Sequence, residues 1–462
     1  MGLPLSAQGR RGDLFRYEGY ETDASAGLLM CRYRVDGRHF EERITLSPQG
    51  QWDSPAARAA ARLIFLLAGV SYYKTAAPEV IDLGDTAITG QERDFLRQFY
   101  LQGLGEFAYR NAIDLAPLRI EAPLLPSRAP MSAPSPIATA LVPFGGGIDS
   151  IVTVEMVRQQ ADTALFVVSR PGDRFSAIER PAAVAGLPVI RADREIDPQL
   201  LRSNELGFLN GHVPVTGILS AIAVLAAALD GRDAVVMSNE WSSSVPTVEF
   251  RGRLINHQYS KSDLFEAGFR TVIDGCGADL PDYFSLLRPR TELWVAERFA
   301  GLKKYHGTFR SCNRAFHIDK SLRLDHWCGH CDKCCFIDLI LAPFMSVSEL
   351  EQIFAGGDLP PGPDSREPLA DPDQAERFRT LLATSTAAKP FECVGEVNEC
   401  RAAVLLAAQR DDRADCKLLH ELATEVAALP DAPSAALSAE LLRPVGEHFI
   451  PAEFATEDIA AR

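Results

Sequence analysis

No stretch of this 462-residue sequence approaches the roughly 18 consecutive apolar residues of a membrane span, and the longest, Ile218 to Leu229, has the length of a buried helix. The opening residues, MGLPLSAQGRRGDLF, have no apolar core of the kind a signal peptide carries, so a cytoplasmic location is expected. Basic residues are in deficit, 47 Lys and Arg against 62 Asp and Glu, for a net charge of −15. That argues against a broad face for nucleic acid while leaving room for a local basic pocket. No internal repeat stands out, and compositional bias is confined to Ala122 to Ala138, where Pro123, Pro126, Pro130, Pro134 and Pro136 punctuate a semi-rigid linker. With 47% hydrophobic and 24% charged residues the chain reads as globular, and its length implies two or three domains.

Two common phosphate motifs are also missing: no Lys follows a glycine loop in the Walker manner, and there is no G-x-G-x-x-G. What is present is LVPFGGGIDSIVTV, Leu141 to Val154, an apolar strand, a glycine turn and a helix start. Glycines let backbone approach a ligand, and a helix N-terminus offers N–H groups to an anion, so polyphosphate is the expected guest. Gly145, Gly146, Gly147, Asp149 and Ser150 resemble the SGGxDS signature of the PP-loop ATP pyrophosphatases, with Gly145 in place of the signature's first Ser and Ile148 where Lys is common. The resemblance implies ATP as cofactor on those residues, with Asp149 helping to place Mg²⁺. The bland alternative is a glycine turn with no ligand.

Along the chain, Leu14 to Leu46 alternates as a small antiparallel meander, turned at Asp36-Gly37. Helical patterns follow at Ala56 to Tyr73, begun by Ser54-Pro55, and at Gln91 to Asn111. Ser71-Tyr72-Tyr73-Lys74 reads more as packing than as pocket lining. Beyond the linker, apolar runs at Ala140 to Phe144, Ala164 to Val168, Pro188 to Ile190 and Ala234 to Met237 alternate with helices, which predicts a parallel sheet covered on both faces. Ligands then bind beyond the carboxyl ends of the strands, where the glycine loop and Ser238-Asn239-Glu240 both fall. His212 reads as a structural histidine. The expected fold is α/β: an N-terminal α+β domain over 1–121, a linker over 122–138, a parallel-sheet nucleotide-binding domain of PP-loop (HUP-like) type over 139–345, and a helical C-terminal extension over 346–462.

The chain has ten cysteines, and Cys312, Cys328, Cys331 and Cys334 fall in a C-x15-C-x2-C-x2-C pattern. Consecutive C-x-x-C steps aim sulfurs at one centre, and a fourth thiolate closes a tetrahedron. A closed structural Zn²⁺ site is expected, with an iron–sulfur cluster as the alternative and His330 and Cys335 as spare ligands.

A PP-loop followed by this pattern resembles 7-cyano-7-deazaguanine synthase. A closer likeness spans most of the chain: SYYK, GHVPVTGILS from Gly211, VVMSNEWS from Val235, NHQYSKS from Asn256, DYFSLLRP from Asp282, SCNRAF from Ser311, WCGHCDKC from Trp327 and PFECVGE from Pro390. Together these resemble the UDP-N-acetyl-α-D-muramoyl-L-alanyl-L-glutamate epimerase family. The resemblance implies an ATP- and Mg²⁺-dependent isomerase of peptidoglycan-precursor biosynthesis, in which the terminal L-Glu of UDP-MurNAc-L-Ala-L-Glu is converted to D-Glu through carboxylate adenylation, deprotonation and reprotonation at Cα, and hydrolysis, with release of AMP and pyrophosphate. Candidates for proton transfer are Glu240, His257, Lys261 and Cys393; for substrate binding, Asn239, Arg288 and Arg290. The alternative is a PP-loop ligase that amidates or thiolates another substrate, for which Cys276 and Cys400 would be available.

Overall fold

The computed structural model describes residues 11–127, 136–317, 319–356, 366–385 and 394–455. Ten strands make one sheet: β1 Phe15–Asp23, β2 Leu28–Val35, β3 Arg38–Thr45, β4 Val80–Asp82, β5 Arg119–Glu121, β6 Thr139–Pro143, β7 Asp162–Ser169, β8 Val189–Glu195, β9 Ala234–Met237 and β10 Asp282–Ser285. Their spatial order is β10-β9-β6-β7-β8-β3-β2-β1-β4-β5. Strands β6 to β10 are parallel to one another. β8 then meets β3 antiparallel, so the meander extends the same sheet instead of standing apart from it. The seam is held by Arg194, whose Nε donates to Glu42 Oε1 at 2.7 Å with Glu42 fully buried. The meander turns on Asp36 and Gly37, with φ of +47° and +84°, as a two-residue hairpin demands.

β6, the strand before the glycine loop, is buried on both faces: Ala140 and Val142 belong to one core, Leu141 to the other. The first core takes helices α4 (Ile148–Val157), α5 (Ser176–Ala185), α8 (Glu292–Ala300) and α9 (Asp332–Leu341), together with the C-terminal helices at Val397–Ala407 and Lys417–Ala427. The second takes α1 (Pro55–Ala68), α2 (Gly90–Gly103), α3 (Gly105–Arg110), α6 (Val215–Asp230) and α7 (Asp263–Gly275). Ser54 caps α1 by accepting the Ala57 N–H at 3.0 Å. Among the described residues no helix is long and apolar enough to cross a membrane.

One expected element divides. The helix predicted over Gln91 to Asn111 breaks at Leu104 into α2 and α3. The flanking glycines explain it: a Cβ on Gly103 would meet Pro214 at 2.5 Å, and one on Gly105 would meet Ile255 at 2.9 Å. Only glycine allows that approach, and Pro214 and Ile255 lie on the two segments that carry His212 and His257.

Candidate active site

Chain order within the parallel strands runs β6, β7, β8 to one side and then β9, β10 to the other, so the direction of winding reverses between β6 and β9. In such sheets the crevice beyond the carboxyl ends at that switch receives the ligand. The glycine loop follows β6 and Ser238-Asn239-Glu240 follows β9, which puts them on either side of it.

Gly146 has φ +74°, and a Cβ there would sit 2.2 Å from the Ala177 carbonyl oxygen, so the loop tolerates only glycine at this point. Around Gly145 nothing lies within 4 Å of a built Cβ. Gly147 is the N-cap of α4 and supplies no side-chain cap, which leaves the first N–H groups of the helix to a guest. Ser150 donates its hydroxyl proton to the Gly147 carbonyl at 3.0 Å. Asp149 sits in the first turn, and its charge acts on Glu292, as do those of Glu240 and Glu399. Burial first, then these carboxylates, push the Glu292 carboxyl well above its usual range against the opposing charge of Lys333. Burial also lifts Glu399 to about 7, although the Ser242 hydroxyl and the Leu293 N–H, at 2.9 Å for the latter, both donate to it. Four carboxylates so gathered favour a proton or a cation among them.

Asn239 and Glu240 are 6% and 3% exposed. The Asn239 backbone is locked both ways by Ser285, whose Oγ accepts its N–H and donates to its carbonyl, each at 2.7 Å. Arg288 is placed otherwise than a substrate clamp would be. Its Nε donates to Glu266 at 2.8 Å, Nη1 to the Glu240 carbonyl at 3.0 Å, and Nη2 to the Lys261 carbonyl at 2.6 Å. The protein itself occupies this guanidinium, and its effect is to tie the Glu240 and Lys261 segments together. Arg290 is buried with its guanidinium 4.4 Å above the Trp294 ring. Cys393 lies outside the described residues. Its neighbours in sequence do reach the acidic cluster, since a Cβ on Gly395 would come within 2.7 Å of Glu292 Oε2.

Lys261 and His257 precede α7, and here the structure joins what the sequence left scattered. His257 Nδ1 and Glu106 Oε2 are hydrogen-bonded at 2.5 Å, and the His212 ring lies 4.5 Å from that of His257. Glu106 comes from α3, far away in sequence. Burial would raise its carboxyl, but the hydrogen bond and charge of His257, the Arg110 Nε–H donated at 2.5 Å and the charge of His212 hold it below the usual range. Lys74 completes the rim, donating to Asn210 Oδ1 at 2.9 Å and to the Gly211 carbonyl at 3.1 Å; burial pushes its amine down to about 8. Tyr72 and Tyr73 of the SYYK stretch are fully buried in an aromatic stack, as expected of packing residues.

Burial, then the neighbouring His257, Lys74 and Lys261 charges, push His212 down to about 4. A histidine kept neutral by the fold takes up its proton on unfolding below its ordinary value near 6.5, so its contribution is fully present above that value and is lost as pH falls towards 4. Glu106, held low, adds a loss of the same sign at still lower pH. Thermal melts are expected to drop from pH 7.5 to pH 5 by the equivalent of roughly 2 kcal/mol on this account, and His212→Asn should flatten the difference. A variant that melts with the parent's pH dependence would refute this.

Four sulfurs, those of Cys312, Cys328, Cys331 and Cys334, lie within 4.8 Å of one another. The Cys328–Cys334 and Cys331–Cys334 separations are 3.7 and 3.4 Å, close to the edge of about 3.8 Å in a tetrahedron with ~2.3 Å metal–sulfur bonds. Cys331 also caps α9, its sulfur accepting the Cys334 N–H at 3.4 Å. Cys335 turns towards Gln374 instead, 3.9 Å from its Oε1. The donor set fits a closed Zn²⁺ site. It also brings Lys333 to Glu292. Cys400 is fully buried on the helix Val397–Ala407.

Sequence reasoning passed over Glu106, Glu292, Glu399 and Lys333. Lys333, between two metal-spaced cysteines, carried a signal in its position; the three glutamates lie in ordinary helical patterns and carried none.

Sequence profiles described as the MurL N-terminal domain and the MurL C-terminal domain match residues 6–286 and 308–437. Proteins named UDP-N-acetyl-alpha-D-muramoyl-L-alanyl-L-glutamate epimerase are similar throughout. That of Salinispora tropica is 37% identical over 96% of this chain and 95% of its own. Those of Xanthomonas oryzae pv. oryzae and a Micromonospora species are also 37% identical, over 95% and 96% of this chain and 95% and 98% of theirs. No solved structure gives a significant match. The chain belongs to the UDP-N-acetyl-α-D-muramoyl-L-alanyl-L-glutamate epimerase family.

Proposed function

We propose that this protein inverts the terminal L-Glu of UDP-MurNAc-L-Ala-L-Glu in an ATP-dependent reaction that releases AMP and pyrophosphate. The observation that carries the reading is the flanking of the sheet's switch point by the glycine loop and Glu240, with the Arg288 clasp tying the Glu240 carbonyl to that of Lys261, four residues after the Glu106-bonded His257.

A free carboxylate beside Cα opposes proton removal, because the enolate would carry a second negative charge. ATP, when bound, supplies the adenylyl group that makes this carboxyl a neutral electron sink. The loop backbone over Gly145 to Gly147 and the start of α4 cradle the phosphates, Ser150 fixes the loop through the Gly147 carbonyl, and Asp149 is the residue that would hold Mg²⁺, which neutralises phosphate charge. His257 then removes the Cα proton. Glu106 orients that ring through Nδ1 and stabilises its cationic form. Return of a proton from the other face needs a second group, for which Lys261 and Glu240 are the candidates; water then cleaves the acyl-adenylate, giving the D-Glu carboxylate and AMP. Cysteine closes the site structurally, as Zn²⁺ held by Cys312, Cys328, Cys331 and Cys334 leaves no open position. PP-loop architecture and a cytoplasmic location accompany the reading.

Incubation with ATP, Mg²⁺ and UDP-MurNAc-L-Ala-L-Glu in D₂O is expected to give AMP and deuterium-labelled D-Glu. His257→Asn should lose deuterium incorporation by about 10²-fold or more while still releasing AMP, because activation precedes proton removal. AMP without D-Glu from the parent protein would replace the epimerase reading with the ligase.

A further inference from the structure

Two contacts of the usual PP-loop signature are absent from this chain: Gly145 has no hydroxyl, and Ile148, 2% exposed, points into the core where other loops carry a cation. A different segment stands beside the gap. A Cβ on Gly147 would come within 3.2 Å of Ser311 Oγ. Next to Ser311, the Arg310 side chain is 1% exposed, and its Nε and Nη1 are buried with no hydrogen-bond partner. The charges that act on it are Arg180, which is also cationic, Asp325, and the sulfurs of Cys312 and Cys334. Arg180 has neither a hydrogen bond nor an ion pair among the described residues, and it lies on α5 between Ala177 and Pro181. Those two residues bound the loop, since a Cβ on Gly146 would meet the Ala177 carbonyl oxygen at 2.2 Å and Pro181 at 3.0 Å.

A buried guanidinium without an acceptor costs several kcal/mol, and a second arginine beside it raises the cost. An oxyanion relieves both, and guanidinium forks match phosphate oxygens two at a time. We propose that Arg310, Ser311 and Arg180 form the second wall of the phosphate cradle, supplying from α5 and the segment before Cys312 the hydroxyl and the cations that the loop itself lacks. The ligand class is the polyphosphate of a nucleotide, and the inference rests on the ATP-dependent reading above. It also gives the four-cysteine site a task, because Cys312 anchors the segment that presents Arg310 and Ser311 to Gly147.

Calorimetric titration with ATP and Mg²⁺, alongside metal analysis, tests the assignment. Arg310→Gln is expected to weaken ATP about 10- to 100-fold at unchanged metal content, with Arg180→Gln and Ser311→Ala weakening it less. Arg180 is only partly buried, so its variant keeps the test available if Arg310→Gln does not fold. ATP bound as tightly by both arginine variants as by the parent would overturn the proposal. Loss of the metal from Arg310→Gln with ATP affinity intact would instead make Arg310 the counter-ion of the thiolates, and would overturn it equally. A parent protein that binds no ATP would refute the ATP-dependent reading itself, and is distinguishable from either result.

Discussion

Asp149→Ala is expected to lose AMP release and D-Glu formation together, each by about 10³-fold or more, with the protein still folded. The side chain sits in the first turn of α4, two residues past the N-cap Gly147. On the proposed mechanism the cation that neutralises the phosphates would lose its protein ligand, and both later steps depend on the activated carboxyl. Stability should move little for opposing reasons. A negative charge at a helix N-terminus contributes about 0.3 to 1 kcal/mol, yet removing this one relieves repulsion on the buried Glu292. The contrast with His257→Asn is the useful part: that variant separates the two products, whereas Asp149→Ala removes both. AMP release surviving in Asp149→Ala would place the phosphate chemistry elsewhere.

What the sequence made readable was whatever the chain writes locally. The glycine loop is a strand, a turn and a helix within Leu141 to Val154, and its conformation follows from residues in contact along the backbone. The cysteine knuckle is equally local from Cys328 to Cys334, and Cys312 needs only one further segment to fold back. The Glu106–His257 pair spans 151 positions, and nothing in the pattern of α3 marks Glu106 as different from any glutamate on a half-buried helix. Its placement depends on the break at Leu104, and hence on two glycines whose meaning appears only once Pro214 and Ile255 are packed against them. His212 read as a structural histidine for the same reason. β10 is four residues long, too short for periodicity to register, and it was legible only as part of a motif. The junction of β8 with β3, which merges the meander into the main sheet, is a long-range pairing that alternation cannot reveal. Arg288 shows the converse limit: residue type suggested an anion clamp, while the neighbouring carbonyls and Glu266 had already claimed its donors.

Cys328→Ser is expected to destabilise the protein more than the changes at Asp149, His257 or Arg180, lowering the melting temperature by roughly 10 °C or more and the bound metal to well below one equivalent. The four sulfurs cluster at the start of α9, whose Phe336, Ile337 and Leu339 to Leu341 are buried in the core shared with α4, α8 and the C-terminal helices. A metal bound there would contribute folding free energy to the whole junction, because thiolates held 3.4 to 3.7 Å apart without a cation repel one another. The loss should also reach the phosphate loop. Cys312 fixes Arg310 and Ser311 on one side, and the helix begun by Cys331 carries Lys333 to Glu292 on the other, so ATP affinity is expected to fall along with the metal. Cys335→Ser is the control: its sulfur faces Gln374, and metal content should stay at the parent's value. If Cys328→Ser kept its metal and its melting temperature, the four-cysteine assignment would be wrong. If it lost the metal but bound ATP normally, the knuckle would be a staple for the C-terminal helices alone, with no part in shaping the phosphate cradle.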